Sequence, residues 1–326
     1  MVSIQLLRAI AALAVVLYHV GRKSDFLAIT NGNYFEVGKY DVDLFFIISG
    51  FIMAYITHGK SVNFISFMKK RFVRIIPIYW VLTSVALAVF IISPSSVNST
   101  MAPPGVINSY LLFPVEGKSM LLEVAWTLRY EFIFYIIFSL SLLTPNRYVT
   151  VSVLLGGIWA CSKFSYENYY IGFFLTHYMG EFLLGILSFL FYTKGKSLTL
   201  VVLSSIAALV GYFYGTHDGV LTYGLYSTVL FNVFVMLEDK IKRNASMVRP
   251  LSYLGDASYS IYLAHLFIIA AAGILYKHTE FMNDPILFNI STLVASVFFS
   301  VLFYEFVERI ITRKLTAIKH AAPSVG

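Results

Sequence analysis

Long runs of apolar residues follow one another along the whole chain, separated by short polar stretches. A segment of about 17–25 predominantly apolar residues can cross the hydrocarbon core of a bilayer as an α-helix. By this rule the sequence contains ten candidate spans, of which the second and fifth are short: 4–21, 43–58, 75–93, 124–143, 148–162, 171–192, 198–215, 220–237, 259–276 and 286–308. The pattern predicts an all-α, polytopic integral membrane protein with about ten transmembrane helices.

The stretches between the spans are too short to hold a soluble domain. We therefore expect one transmembrane domain over residues 1–320, followed by a frayed C-terminal tail at 321–326. The longest gap, from Pro94 to Glu123, is polar and rich in Pro, Ser and Asn. Because these residues favour turns, the gap is predicted to be an external loop.

The basic residues lie mainly between the spans and mostly on one side of the membrane. With the N-terminus inside, sixteen of the 24 Lys and Arg residues fall on the cytoplasmic side and six outside, while Arg8 and Arg129 lie within spans. Cytoplasmic loops of membrane proteins carry the excess of basic residues. Both termini are therefore predicted to be cytoplasmic.

Composition supports the membrane class and excludes several functions. Hydrophobic residues make up 58% of the chain and charged residues 13%, against roughly 25% charged in soluble domains. The net charge of +7 does not indicate a nucleic-acid partner, because the basic residues sit between hydrophobic runs. The single cysteine, Cys161, excludes an intramolecular disulfide and a Cys-based metal cluster, and with no HExxH motif no metal is expected. The chain also lacks a P-loop, a dinucleotide glycine pattern and a GxSxG elbow, so the sequence gives no support to nucleotide hydrolysis, dinucleotide binding or serine-hydrolase chemistry.

Two ionisable residues lie inside the first span, where a charge is costly unless it faces a cavity or a partner. Arg8 and His19 are eleven residues apart, so they project from nearly the same helix face about 16 Å apart along its axis. A long anionic donor could bind Arg8 at one end and react at His19 at the other. The alternative is that Arg8 extends to lipid phosphate and His19 is a satisfied core histidine.

Asp43 begins the second span on the outer side. A carboxylate at that depth could orient the imidazole of His19 and stabilise its protonated form, as the acid of a catalytic triad does. The alternative is an interfacial acid exposed to water. The neighbouring Ser49 and Gly50 are small, and small residues allow close helix approach in membranes.

The basic stretch Lys69–Arg74 precedes the third span on the cytoplasmic side. Anchoring by the positive-inside rule accounts for most of it without a ligand. Arg71 and Arg74 are nevertheless candidate contacts for the phosphates of a donor, because arginine binds phosphate in a bidentate manner that lysine cannot match.

Further candidates lie in the fourth and ninth spans. Arg129 and Glu131 are two residues apart on a helix and face different directions, so each is expected to have a partner on another helix or in a water-filled cavity. Glu131 is a candidate site residue, with a structural ion pair between helices as the alternative. Tyr262 and His265 are three residues apart and share a face. We place them at the donor entry, with simple packing as the alternative.

Taken together, five segments in this order resemble the membrane-bound acyltransferase family three, which includes bacterial polysaccharide and exopolysaccharide O-acetyltransferases. They are Leu7–Leu13 with His19, Asp43–Phe51, Arg71–Tyr79, Trp126–Glu131 and Ser258–His265. The resemblance implies ten helices in the bacterial inner membrane. It also implies a cytosolic acyl-CoA donor, usually acetyl-CoA, and a polysaccharide or lipid-linked sugar acceptor. Within that family Arg8 and His19 correspond to the signature pair.

The resulting hypothesis is an O-acyltransferase in which His19, oriented by Asp43, acts as general base toward a sugar hydroxyl. Two alternatives belong to other classes of protein. The first is a transporter or flippase for a lipid-linked saccharide, with the intramembrane charges along its pathway. The second is a non-catalytic partner of the polysaccharide-synthesis machinery.

Overall fold

The structure is a computed structural model that describes residues 1–33, 35, 36, 38, 41–94, 102–213, 219–277 and 284–321. The predicted tail lies outside these residues from 322 onward. The helices, numbered in chain order, are α1 Val2–Phe26, α2 Asp41–Thr57, α3 Phe64–Ile92, α4 Val106–Leu111, α5 Trp126–Ser141, α6 Arg147–Cys161, α7 Tyr169–Phe174, α8 Met179–Thr193, α9 Ser197–Phe213, α10 Leu225–Met236, α11 Glu238–Arg243, α12 Ala245–Asp256, α13 Ser258–Tyr276, α14 Pro285–Phe303 and α15 Arg309–Ala321.

Every predicted span has a helical counterpart in the same order. Among the described residues six helical segments are long and apolar enough to cross a membrane: Val2–Phe26, Phe64–Ile92, Glu123–Ser141, Tyr169–Thr193, Ser258–Tyr276 and Pro285–Thr316. Four shorter apolar helices correspond to the remaining predicted spans: Val42–Thr57, Arg147–Cys161, Ser197–Phe213 and Val220–Met236. The helical, polytopic architecture predicted from the sequence is therefore confirmed at this level.

The segment predicted as an external loop has more local structure than expected. Two-residue strands, β1 at Pro104–Gly105 and β2 at Ser119–Met120, pair in parallel, and the short helix α4 lies between them. Asn108 explains part of this order, because its side-chain amide donates a 3.2 Å hydrogen bond to the carbonyl of Ser119. A 3₁₀ turn at Glu123–Ala125 then leads into α5.

The chain divides into two compact units that interleave in sequence. Unit 1 comprises residues 1–11, 40–68 and 127–256, and unit 2 comprises residues 12–39, 69–126 and 257–326. The helix α1 contributes its first turns to unit 1 and the rest to unit 2. The predicted single domain over 1–320 stays a prediction.

In unit 1, α2 and α8 are in backbone contact. A Cβ atom at Gly50 would collide with the Phe182 carbonyl oxygen and the Gly185 Cα, and one at Gly185 would collide with the carbonyl of Ile47. The close approach expected at Gly50 is therefore confirmed. Since apolar side chains gain nothing by leaving lipid for protein, such contact is a main source of helix association in membranes.

The start of α1 is held in unit 1 by an acidic residue far away in the sequence. Both carboxylate oxygens of Glu238 accept backbone hydrogen bonds, from the Val2 N–H at 2.9 Å and from the Ser3 N–H at 2.8 Å. Lys242 lies 3.2 Å from the same carboxylate. Glu238 thus satisfies two amides that have no partner within the helix, and its charge complements the positive end of the helix dipole.

These contacts change the acidity of Glu238, which lies just beyond the span that ends at Met236. Burial alone would raise its pKa, but hydrogen bonds from Ser3 and Val2 together with Lys242 lower the pKa from the ordinary value of 4.5 to about 2. The stabilisation from the carboxylate is therefore fully present above about pH 4.5 and is lost as the pH falls toward 2.

Unit 2 is organised around α13, whose hydroxyl groups each bond to a different element. The Tyr259 hydroxyl donates to the Ile75 carbonyl on α3 at 2.9 Å. The Ser260 hydroxyl donates to Glu308, in the π-helical turn between α14 and α15, at 2.5 Å. The Tyr262 hydroxyl donates to the Val124 carbonyl in the 3₁₀ turn at 2.8 Å. These bonds fix α13 on three sides.

The second half of α1 runs parallel to α13 within unit 2. Two contacts occur in the same order along both helices, His19 with His265 and Lys23 with Gly273. A parallel course agrees with the predicted order, in which these helices are the first and ninth spans. Gly273 leaves room for the Lys23 side chain, because a Cβ atom there would collide with it.

We expect Gly50→Ala to lower the stability of the purified protein by about 1–3 kcal/mol, because the added methyl group meets backbone rather than a movable side chain. The matched control is Gly157→Ala in α6, where a Cβ atom has no neighbour within 4 Å. Thermal melting in detergent measures both variants. A Gly50→Ala protein as stable as the control would contradict backbone contact between α2 and α8.

We expect Glu238→Gln to lower the melting temperature at neutral pH, because one amide oxygen cannot replace two charged acceptors. The gap between the variant and the wild type should shrink as the pH falls from 4.5 toward 2, where the wild-type carboxylate takes up a proton. Asp239→Asn on the same helix is the control, and Asp239 is exposed. A gap that does not depend on pH would contradict the capping role.

Candidate active site

Two histidines lie together in unit 2. The ring centroids of His19 on α1 and His265 on α13 are 5.1 Å apart, with an angle of 49° between the ring planes. His19 is partly buried and also contacts the ring of Tyr18, whereas His265 is 0% exposed. Ionisable side chains within membrane spans are rare and mark functional sites, so this pair is a candidate for chemistry.

The backbone fixes the tautomer of His265. Its Nδ1 lies 3.0 Å from the Ile261 carbonyl one turn earlier on α13. Because a carbonyl oxygen only accepts hydrogen bonds, Nδ1 carries the proton and Nε2 of the neutral ring presents a lone pair. Within the part of the chain that the structure describes, this buried Nε2 has no hydrogen-bond partner.

The surroundings of the histidine pair are tied to the 3₁₀ turn before α5. Tyr262, which is buried, lies 6.3 Å from His265 between ring centroids and donates its hydroxyl proton to Val124 in that turn. Glu123 in the same turn forms a 3.2 Å salt bridge with Arg22, one turn beyond His19 on α1. The turn therefore links α1 and α13 near the two rings.

Arg8 lies in unit 1 within a short polar chain. Its guanidinium donates a 3.2 Å hydrogen bond to the Gln5 side chain, one turn earlier on α1. Gln5 in turn donates to the Asp256 carboxylate at the end of α12, at 2.5 Å. The side chain of Arg8 is thus held by an amide that is itself anchored to a carboxylate, which limits the directions in which the guanidinium can point.

Asp43 lies in unit 1 beside another acid. Asp43, on α2, is 7% exposed, and its carboxyl group interacts with that of Glu181 on α8, which is 0% exposed. Neither carboxyl oxygen of Glu181 has a hydrogen-bond partner among the described residues, so the interaction of the two acids is electrostatic. The predicted partnership of Asp43 with His19 stays a prediction.

Glu131 and Arg129 have partners on other helices of unit 1, as their spacing indicated. Glu131 accepts a 3.2 Å hydrogen bond from Ser49 on α2 and a second from the Tyr135 hydroxyl one turn along α5. The Arg129 guanidinium lies over the Phe173 ring of α7 at 6.0 Å. The structure therefore places Glu131 among hydroxyl groups.

Arg71 and Arg74 lie on α3, within unit 2. They are three residues apart and so share a helix face. Arg71 is partly buried, and Arg74 is exposed. Together with Lys69 and Lys70 they form a cationic start to α3, as the sequence indicated.

The predicted site residues are therefore divided between the units. Unit 2 contains His19, His265 and Tyr262 close together, with Arg71 and Arg74 on α3. Unit 1 contains Arg8, Asp43 and Glu131. Among the described residues no group of three or more His, Cys, Asp or Glu side chains could hold a metal ion.

Three polar residues at these positions were missed by the sequence analysis: Glu181, Gln5 and Asp256. Glu181 could have been found, because it is an ionisable residue inside the predicted span 171–192 and so meets the criterion that selected Arg8. Gln5 lies one helical turn before Arg8, a spacing that favours contact. Nothing in the local sequence marks Asp256, which is 251 residues from Gln5.

Comparison with known proteins identifies the family. A family model described as an acyltransferase domain, that of acyltransferase 3, matches residues 1–305. The exopolysaccharide production protein ExoZ of Rhizobium meliloti (strain 1021) is 31% identical over 280 residues, covering 79% of this chain and 84% of that protein. The O-acetyltransferase OatA of Staphylococcus aureus (strain NCTC 8325 / PS 47) is 22% identical over 357 residues. That match covers 94% of this chain and 56% of OatA, so the chain spans little more than half of that relative. No solved structure matches the chain.

The helices and their buried ionisable side chains define a polytopic membrane protein with polar groups held inside apolar spans. The chain belongs to the acyltransferase 3 family, and it is an integral membrane enzyme of acyl transfer.

Proposed function

We propose that this enzyme transfers an acetyl group from cytosolic acetyl-CoA to a hydroxyl group of a cell-surface or lipid-linked sugar. The two relatives support the choice of reaction, since one is named for exopolysaccharide production and the other is an O-acetyltransferase. The distribution of Lys and Arg supports an orientation with both termini in the cytoplasm. The bacterial relatives support a location in the bacterial inner membrane. The observation that carries the proposal is the contact between the imidazoles of His19 and His265 within apolar spans, in a chain of this family.

In the proposed mechanism His19 is the general base. Its ring nitrogen takes the proton of the sugar hydroxyl while the hydroxyl oxygen attacks the carbonyl carbon of the thioester. The tetrahedral intermediate then collapses, the C–S bond breaks, and the CoA thiolate takes the proton from His19. The products are the acetylated sugar and CoA, and His19 returns to its neutral form. General-base catalysis of this kind contributes about 10²–10⁴-fold to the rate.

Donor binding is proposed to use the cationic residues of α1 and α3. Arg8 precedes His19 by eleven residues on α1, so the two side chains lie about 16 Å apart along one helix. A CoA molecule is long enough to place its phosphates at Arg8 and its thioester at His19. The Gln5 side chain holds Arg8 for this purpose. Arg71 and Arg74 are proposed as further phosphate contacts, and Tyr262 as part of the path of the donor.

Two acidic residues that the sequence predicts as site residues, Glu131 and Asp43, are proposed to act on the acceptor. Glu131 lies among the hydroxyl groups of Ser49 and Tyr135, an arrangement suited to hydrogen bonding with a sugar. Asp43 is proposed as an acidic site residue together with Glu181.

We expect His19→Ala to lower acetyl transfer by about 10²–10⁴-fold, because the variant has no base for the hydroxyl proton. The measurement is transfer of radiolabel from acetyl-CoA to glycan in membranes, with wild type and variants at matched expression. His58→Ala is the control, since His58 is exposed near the end of α2. Melting temperatures of the purified proteins check that both variants fold.

Full transfer by His19→Ala would overturn the role of His19 as base. A wild-type protein that moves the saccharide across the membrane without acylating it would overturn the reaction itself and favour the flippase alternative. Normal glycan acetylation in cells that carry only His19→Ala would favour a non-catalytic role in polysaccharide synthesis.

A further inference from the structure

His265 is a buried group that the mechanism above leaves without a chemical task. It is fully buried on α13, and its Nδ1–H donates to the Ile261 carbonyl. Its Nε2 is a hydrogen-bond acceptor that has no partner among the described residues. An acceptor that is buried and unpaired destabilises a protein, so such a group calls for a partner that forms when the enzyme works.

The surroundings of Nε2 point to His19. The two ring centroids are 5.1 Å apart, a separation at which the edge of one imidazole can come within the roughly 3 Å of an N–H···N hydrogen bond to the other. The hydroxyl proton of the neighbouring Tyr262 is committed to the Val124 carbonyl. His19 is therefore a neighbouring side chain that can supply a donor to Nε2.

Other contacts of α1 and α13 within unit 2 support this arrangement. Lys23 packs against Gly273 beyond the histidines. The Arg22–Glu123 salt bridge and the Tyr262–Val124 hydrogen bond connect both helices to one 3₁₀ turn. These contacts hold the two helices that carry the His19 and His265 rings.

We propose that His265 is a positioning residue whose Nε2 accepts a hydrogen bond from a ring N–H of His19. The Ile261 carbonyl fixes the tautomer of His265, and His265 in turn fixes the tautomer of His19. The other nitrogen of His19 is left with its lone pair directed at the acceptor hydroxyl. His265 thus takes the orienting role that the sequence analysis gave to Asp43. This inference rests on the proposed function of His19 as general base.

The hydrogen bond between His19 and His265 does not change the proton balance of the reaction. When His19 takes the hydroxyl proton it becomes an imidazolium whose second N–H stays bonded to Nε2 of His265. The bond strengthens because its donor is now charged. When the thiolate leaves it takes the new proton from His19, and both histidines return to their starting tautomers. His265 neither gains nor loses a proton and needs no contact with the donor.

The test compares His265→Leu with His265→Gln in the acetyl-transfer assay. Leucine removes the acceptor, and kcat should fall by roughly 10–100-fold, as it does when the outer partner of a functional histidine is removed. Glutamine places an amide oxygen near the position of Nε2 and should restore most of kcat. The KM for acetyl-CoA should stay at the wild-type value in both variants.

The double variant shows whether His265 acts through His19. His265→Leu should cost nothing further in a His19→Ala background, because the residue to be positioned is already gone. A multiplicative loss in the double variant would overturn the inference. So would a raised KM for acetyl-CoA with kcat unchanged, which is the outcome for a residue that contacts the donor.

A measurement on the wild-type protein covers the case in which the His265 variants do not fold. With ¹⁵N-labelled histidine in liposomes, solid-state NMR should detect magnetisation transfer from a His19 N–H to the His265 nitrogen, with the His19 signals identified by their loss in His19→Ala. Absence of this transfer would overturn the inference. Failure of the proposed function is distinguishable, since His19→Ala would then itself retain activity.

Discussion

The hydrocarbon core of a bilayer offers no hydrogen bonds, so every polar group that this chain carries into its spans must find a partner within the protein. This constraint accounts for many of the contacts in both units. Hydroxyl groups of α13 donate to carbonyl or carboxyl oxygens on three other elements. Glu131 is surrounded by hydroxyls, and the first amides of α1 bond to a carboxylate 235 residues away. The helices are thus joined by specific polar bonds as well as by close backbone contact.

The same constraint makes the exceptions informative. A buried acceptor such as Nε2 of His265, which has no partner among the residues that the structure describes, is costly in an apolar interior and points to chemistry rather than packing. Its position beside His19 connects the requirement for satisfied polar groups to the requirement for an oriented base. The hydrogen bonds of α13 in unit 2 meet both requirements, because they satisfy buried polar groups and also hold the helix that carries the His265 ring.

The order of the apolar helical segments was predictable because membrane spans are marked by length and apolarity, which are local properties. The helix boundaries and the strand pairing were not predictable, because they depend on amphipathic segments and on tertiary contacts. The third helix begins at Phe64 rather than near residue 75, since the basic stretch continues the helix without being apolar. The sixth span divides into α7 and α8, with Asn168 capping α7 through its side chain. The strands β1 and β2 have two residues each, which is too short to give a recognisable alternation of polar and apolar residues in the sequence.

For the candidate site, the sequence identified which residues are out of place in a membrane but not which of them meet. Arg8, His19 and Glu131 stand out because they are ionisable within apolar spans. The contact of His19 with His265 joins residues 246 positions apart, and the contact of Asp43 with Glu181 joins different helices. Such pairs are set by helix packing, which the local pattern does not encode. His265 was therefore assigned to the donor entry from its helix face alone.

The central claim is that His19 takes the proton of a hydroxyl that attacks a CoA thioester. Its most direct test is a structure of the enzyme in lipid with an acetyl-CoA analogue that replaces the thioester sulfur by a methylene group. The account predicts that the acetyl carbonyl lies about 6 Å from the His19 ring, which leaves room for one hydroxyl oxygen between them. It also predicts phosphates at Arg8. An acetyl group bound elsewhere, with the two histidines facing lipid or packed side chains, would contradict it.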